Sequence, residues 1–335
     1  MMKAINRCGY IGVSGYGWSG SGACIDLLKE FEGFGALPGE FRISKDPHGL
    51  LDLENALVTN WDIVRHDTAI RDFLHYCNFL SRKSGLFLKP GGNFSNKLNV
   101  DLVKESELYI ESLSDMTYIG DTFVHRYNIS AYKNIIAKVK SKIGTKNARK
   151  MHLSRPDKGM FLLETKKYIN NLFYHYANIN NISNIVLDQA ISPMNIINTS
   201  KFFEGIKVII VDRDPRDIYV DMVKHEKLLG SELVNKYSAE KYIKWHKQLR
   251  RVSINDANTG QHILKINFED LIFNYDASIK NIMNFLGIID MPSKKGMYFS
   301  PNYSARNVGL WKNFKDQEVV NKIEKELEEY CYHER

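Results

Sequence analysis

Residues 207–221, Lys-Val-Ile-Ile-Val-Asp-Arg-Asp-Pro-Arg-Asp-Ile-Tyr-Val-Asp, constrain the fold more than any other stretch of this 335-residue chain. The apolar run Val208 to Val211 reads as a buried strand. It runs directly into a charged turn carrying Arg213 and Arg216. Asp214 is suited to cap a helix and Pro215 to occupy its first turn, because proline's fixed φ and missing N–H cost nothing there. The pattern therefore places an arginine at the carboxyl end of a strand, beside a new helix N-terminus. Open α/β sheets bind phosphorylated ligands at such places.

A second unit of this kind opens the chain. Gly9 to Ser14 reads as a strand, and Gly15-Tyr-Gly-Trp-Ser-Gly-Ser-Gly22 joins it to a helix marked by Ala23, Leu27 and Phe31. Glycines let backbone amides converge on an anion, and the helix start adds partial positive charge. The spacing is near the phosphate-loop pattern G-x-x-x-x-G-K-[ST], with Gly15 and Gly20 in place. Ser21 stands where that pattern has lysine, which disfavours an ordinary nucleoside triphosphatase.

Further strands are predicted at 184–188 and 262–268, and helices after Ser238, over the Ile279–Leu286 stripe stopped by Gly287, and around Val320, Ile323 and Leu327. Strands alternating with helices imply an α/β fold, a central parallel sheet flanked by helices of the P-loop NTPase-like kind. A single domain over 1–335 is expected, with a mainly helical, substrate-facing insertion at about 91–183. The 44% hydrophobic content is enough for a sizeable core.

No run of 18 apolar residues occurs, so no membrane span is expected. The first residues lack the apolar core of a signal peptide. Cys8, Cys24, Cys77 and Cys331 are scattered, which predicts neither a disulfide framework nor a metal site and fits a reducing cytoplasm; contact with the inner membrane surface stays open. The formal charge of +7 suits anionic small molecules or glycans. Its densest part, Lys133 to Lys150, has no interleaved aromatic ladder and reads as a solvated helix face rather than a nucleic-acid groove.

Together the motifs resemble the sulfotransferases that use 3′-phosphoadenosine 5′-phosphosulfate. Tyr16 to Gly22 is similar to their 5′-phosphosulfate loop, and Lys207 to Asp221 to their 3′-phosphate motif. Leu264-Lys-Ile-Asn-Phe-Glu-Asp-Leu271 with Asn284-Phe-Leu-Gly287 resembles their Y-E-D-L … F-L-G segments. Ser304-Ala-Arg-Asn-Val-Gly-Leu-Trp-Lys312 resembles the C-terminal segment that closes over the nucleotide. The resemblance implies that Gly17, Trp18, Ser19, Gly20, Ser21 and Gly22 hold the 5′ end of the donor. It implies that Arg213 grips the 3′-phosphate at a position shared with Asp221. Arg306 would support the same group, with Asn307, Val308 and Gly309 adding backbone contacts. Trp311 reads first as a packing residue, and no metal is required.

Two positions depart from the family pattern. Trp18 stands where a lysine or arginine is usual, leaving Arg42, Lys45, Lys89 or Lys312 to supply the missing cation. Asp221 replaces a usual serine; because a carboxylate would repel the phosphate, either Asp221 points elsewhere or the helix is shifted. Transfer to a hydroxyl also needs a base. Leu37-Pro-Gly-Glu40-Phe resembles a segment of the bacterial trehalose-type enzymes whose glutamate is the base, making Glu40 the first candidate and Asp188, ending its strand, the second. His48, His66 and His125 are weaker candidates. Glu269 and Asp270 read as loop-orienting acids. The expected acceptor is a carbohydrate or glycolipid. The alternatives are a P-loop phosphotransferase, and a non-catalytic nucleotide- or glycan-binding protein of the same fold.

Overall fold

The computed structural model describes residues 9–85, 89–120, 130–143, 149–225, 232–235, 237–256 and 262–333. Its strands are β1 (Gly9–Gly15), β2 (Phe34–Ala36), β3 (Met116–Gly120), β4 (Arg149–Leu153), β5 (Asn184–Asp188), β6 (Lys207–Asp212) and β7 (Ile263–Asn267). The chain divides into two compact units, one of residues 1–42 with 177–335 and one of residues 43–176.

The first unit is the expected α/β body. Its five strands run in the order β2-β5-β1-β6-β7, every pair parallel. Strand β1 lies centrally, with Val13 opposite Asp188 of β5 on one side and Ile209 of β6 on the other. All five carboxyl ends therefore share one edge, and the chain segments after them form the candidate site. One sheet face carries Ile11, Val13, Ile209 and Val211, and packs under the Ser21–Leu28 and Tyr275–Leu286 helices through Leu27, Leu28, Ile279 and Ile282. The alternate residues Ile185, Leu187, Val208 and Ile210 are equally buried on the other face. The near-continuous apolar strands that this requires are what the sequence shows. A second cluster joins the Pro215–Lys224, Glu240–Asp256 and Gln317–Glu326 helices through Tyr219, Tyr242 and Ile323.

Local signals set these boundaries. Asp214 caps the Pro215–Lys224 helix by accepting from the Arg216 N–H at 2.8 Å. Gly287, at φ 72°, ends the Tyr275–Leu286 helix in the left-handed conformation that favours glycine.

The second unit is largely helical. In the Ile63–Ser81 helix, capped by Asp62, Phe73 packs edge-on against Tyr109 of the Leu102–Ser112 helix and against Tyr168 of the Lys158–Asn180 helix. The antiparallel β3–β4 ribbon, with Thr117 opposite His152, is an element the helical reading of this region did not anticipate. Buried Asp67 ties it by accepting from Arg71 at 3.1 Å and Arg149 at 2.9 Å.

Candidate functional site

The loop after β1 is shaped by close approaches. A Cβ at Gly15 would fall on the Ser19 hydroxyl, and one at Gly20 on the Phe268 ring. Gly20 also has φ 81° as the cap of the Ser21–Leu28 helix, so glycine is required there twice over. Gly17 and Trp18 take φ 94° and 51°. Tyr16 is buried beneath the Arg250 guanidinium at 3.8 Å, and Arg250 grips the Asp212 carboxylate with both terminal nitrogens. The loop is thereby anchored to the end of β6.

The curled backbone leaves Ser19 1% exposed, and its hydroxyl has no hydrogen-bond partner. Buried polar groups are nearly always bonded, so an orphaned hydroxyl in a glycine loop marks a place for an acceptor. Ser21 accepts from Gln189 Nε2 at 3.3 Å, which links the helix start to the turn after β5. Gly22, in the first helical turn, is exposed, with nothing within 4 Å of the place a Cβ would take. The Ala23 amide donates to the Gly20 carbonyl at 3.0 Å, while the Ser21 and Gly22 amides, first in the helix, have no intrahelical partner by construction.

Arg213 is the junction of the site. It is 4% exposed and donates from Nη1 to the Trp18 carbonyl at 3.0 Å and to Asp221 at 2.9 Å, and from Nη2 to the Asn307 carbonyl at 2.6 Å. Its Nε has no partner. Three distant segments, the loop, the Asp212–Asp221 turn and residues 304–312, thus meet on one guanidinium. Asp221 does not point away, as charge repulsion suggested; it faces Arg213 and also lies 3.2 Å from His225. The reason is that Arg213 is buried, and a buried guanidinium needs a charge partner.

The 304–312 segment is fastened from a second side. Asp217, 1% exposed, accepts from the Gly309 amide at 2.8 Å and the Trp311 amide at 3.2 Å. Burial pushes its carboxyl above the ordinary aspartate range, against those two hydrogen bonds. The Val308 amide donates to Ala305. The expected backbone donors at Val308 and Gly309 therefore already have partners within the chain. Arg306 differs: it is exposed, lies 3.5 Å over the Tyr303 ring, and has no ion-pair partner among the described residues. Trp311 packs under Arg216 at 4.1 Å, the packing role expected for it. Arg216 itself is held by Asp214 and Glu324.

Glu269 accepts from the Asp214 amide at 2.8 Å, orienting the turn as expected. Burial, with Asp214 and Asp217 nearby, raises its carboxyl to about 7. Asp270 accepts from Asn267, Asn274 and the Tyr332 hydroxyl. Glu40 follows β2 at the carboxyl edge, exposed and 3.2 Å from Arg42. Asp188 is half-buried at the end of β5. Trp18 packs on the Tyr219–Tyr242 cluster. Of the other candidate bases and cations, His48, His66, Lys45 and Lys89 belong to the second unit. There His48 is exposed, 3.7 Å from Asp72, and buried His66 contacts the Asp62 and His152 carbonyls. His125 lies outside the described residues.

Beside the loop, a cavity of about 540 Å³ lies between Ala23 and Asp26 of the first helix and the 296–307 segment, with Tyr303, Ser304 and Asn307 in its wall. Sequence reasoning missed Arg250, Asp217, Gln189 and Phe268. Arg250 alone left a trace, falling one helical turn beyond the buried Tyr242 and His246. Among the described residues no cluster of side chains is suited to a metal ion, and no helix is long and apolar enough to cross a membrane.

A parallel sheet with a glycine loop after its central strand and an arginine turn after the next defines an open-sheet α/β protein. Residues 120–292 match the sulfotransferase family, and the chain belongs to that family. No curated protein matches. Among solved structures, a sulfotransferase domain from the curacin biosynthetic pathway is similar at 12% identity and TM-score 0.46, over 96% of this chain and 98% of that one. A Mycobacterium avium sulfotransferase gives 11% and 0.41, over 99% and 78%. Retinol dehydratase, solved with androsterone and the inactive cofactor PAP, gives 14% and 0.37, over 97% and 81%. The family assignment rests on the sequence match.

Proposed function

We propose that this chain moves a sulfuryl group from 3′-phosphoadenosine 5′-phosphosulfate to a hydroxyl of a carbohydrate or glycolipid. The observation that carries this reading is the meeting of three motif segments on Arg213, within 3.0 Å of the Trp18 carbonyl and 2.6 Å of the Asn307 carbonyl. The residues present fit the donor. The orphaned Ser19 hydroxyl and the amides at the helix start suit the 5′-phosphosulfate. The exposed Arg306 suits the 3′-phosphate, as its fork matches phosphate oxygens. The neighbouring cavity suits the adenosine. In this reading Arg213 positions the loop, and its unpartnered Nε is the donor left for a phosphate oxygen.

When bound, the donor supplies an activated sulfuryl group. The chain's part is to hold it, to orient the acceptor and to take the hydroxyl proton. Glu40 is the base of this proposal: it follows a strand at the carboxyl edge and is exposed there, 3.2 Å from Arg42. Asp188 is the second choice. With Trp18 turned into an apolar cluster, a cation for the moving group comes from Arg42 or Lys312 of the same unit.

Thermal shift tests the donor site. The desulfonated nucleotide 3′-phosphoadenosine 5′-phosphate, at 100 times its Kd, stabilises the fold by about 2.7 kcal/mol. Adenosine monophosphate does far less, and Arg306→Ala narrows the gap. Equal shifts from the two nucleotides would remove the 3′-phosphate assignment. Binding without turnover on any sugar acceptor would leave the non-catalytic alternative.

A further inference from the structure

The Ala131–Lys142 helix of the second unit stands out of the packing. Every side chain described on it apart from Ala137 is exposed. Yet it is not a polar helix. Tyr132, Ile135, Ile136 and Val139 recur at helical spacing, and Ile143 continues the stripe just past its end. At 3.6 residues per turn these five fall within an arc of about 100°. Tyr132 is 73% exposed and Ile143 71%. A surface helix ordinarily buries such a stripe against its own core; this one leaves it unburied.

Charge says what the stripe faces. On the same wheel Lys138 and Lys142 border one side of the apolar arc, and Lys133 and Lys140 the other. The helix has no carboxylate, so none of the i,i+4 acid–base pairs of a merely solvated face can form on it. The asymmetry extends along the chain: residues 122–156 hold six lysines, three arginines and no aspartate or glutamate, a charge of +9. The whole chain is +7, so the remaining residues sum to −2. In sequence the positive excess falls in the stretch that contains this helix, and of its cations Arg149 and Lys150 pair with Asp67 and Glu111.

We propose that the Ala131–Lys142 helix lies in the surface of an anionic lipid bilayer, with Tyr132, Ile135, Ile136, Val139 and Ile143 among the upper acyl chains and the flanking lysines at the headgroups. An apolar arc bordered on both sides by lysine is the pattern of interfacial helices. Lysine stems reach along the apolar surface while their ammonium groups stay with the phosphates. A nucleic-acid groove would use the lysines and leave the aliphatic stripe in water.

The test is co-sedimentation of the full chain with vesicles of phosphatidylcholine alone and of phosphatidylcholine mixed with phosphatidylglycerol. Binding is expected only to the mixed vesicles, and to weaken with salt. Lys138→Gln with Lys142→Gln lowers the partition coefficient about 30-fold, from about 1 kcal/mol per lysine. Ile135→Ser with Val139→Ser lowers it at least about 10-fold, from the apolar area withdrawn. Both pairs leave the melting temperature unchanged, because the residues are exposed. Absence of vesicle binding, or binding that both pairs leave intact, overturns the proposal. Loss with the lysine pair alone shows a purely electrostatic contact, and also overturns it. A concentration-dependent dimer dissolved by the apolar pair, without vesicle binding, assigns the stripe to a second copy of the chain instead.

Discussion

Replacing Asp221 with serine removes the one carboxylate that pairs with Arg213 among the described residues, and the two consequences have opposite signs. The pair is close, 2.9 Å, with Arg213 4% and Asp221 20% exposed at their side chains. Without Asp221, Arg213 keeps only the Trp18 and Asn307 carbonyls, so the free variant is destabilised by about 2 kcal/mol. A nucleotide 3′-phosphate bonding the same guanidinium would sit roughly 5 Å from Asp221, where an effective dielectric of about 20 gives a repulsion of about 3 kcal/mol per unit charge. Discounting for the partial exposure of Asp221 leaves about 1–2 kcal/mol, or roughly 5- to 30-fold tighter binding of 3′-phosphoadenosine 5′-phosphate by Asp221→Ser. Calorimetric titration of both proteins with this nucleotide, and with adenosine monophosphate as control, measures it. Expected are a lower melting temperature for the free variant and tighter binding of the bisphosphate alone. Unchanged or weaker bisphosphate binding would show that the phosphate never enters the field of Asp221, and would refute the reasoning.

Glu40→Gln keeps bisphosphate binding within about twofold but lowers kcat at least about 100-fold, as expected for loss of a general base; unchanged turnover in a sulfuryl-transfer assay rules Glu40 out. Glu269→Gln tests the buried carboxyl raised from 4.5 to about 7. The folded state of the wild type holds this proton more tightly than the unfolded chain, so its stability falls as pH rises from about 4.5 to about 7. The variant escapes that fall while keeping an acceptor for the Asp214 amide. Chemical denaturation at pH 4 and pH 8 should show the variant gaining on the wild type by about 2–3 kcal/mol between those pH values. A parallel response in both proteins would mean that Glu269 does not titrate in this window.

What could be read from the sequence was local. The ends of β5 and β6, the Asp214 cap, the proline at 215 and the Gly287 stop each follow from a few adjacent residues, and stand where expected. The glycine loop was equally legible, because positive φ and close approach leave a compositional trace. The pairings that organise the site were not. Arg250 with Asp212 and Tyr16, Asp217 with the Gly309 and Trp311 amides, and Gln189 with Ser21 join residues tens to hundreds of positions apart. No periodicity announces such contacts. Asp221 illustrates the gap: repulsion by a phosphate suggested that it turns elsewhere or that its helix is shifted, whereas the buried Arg213 guanidinium holds it at 2.9 Å. The β3–β4 ribbon escaped for another reason, since Met116 and Ile119 are exposed and its alternation is correspondingly weak.

The Asp217 clasp has a thermodynamic corollary. The Gly309 and Trp311 amides are secured by a side chain of the same protein. A segment that had to condense around its ligand would charge the association with the entropy of freezing several residues, and would bury fresh apolar surface as it did so. Here that immobilisation belongs to folding. Donor capture should accordingly resemble docking to a ready-made receptor, with a small heat-capacity change and an encounter rate unburdened by loop closure.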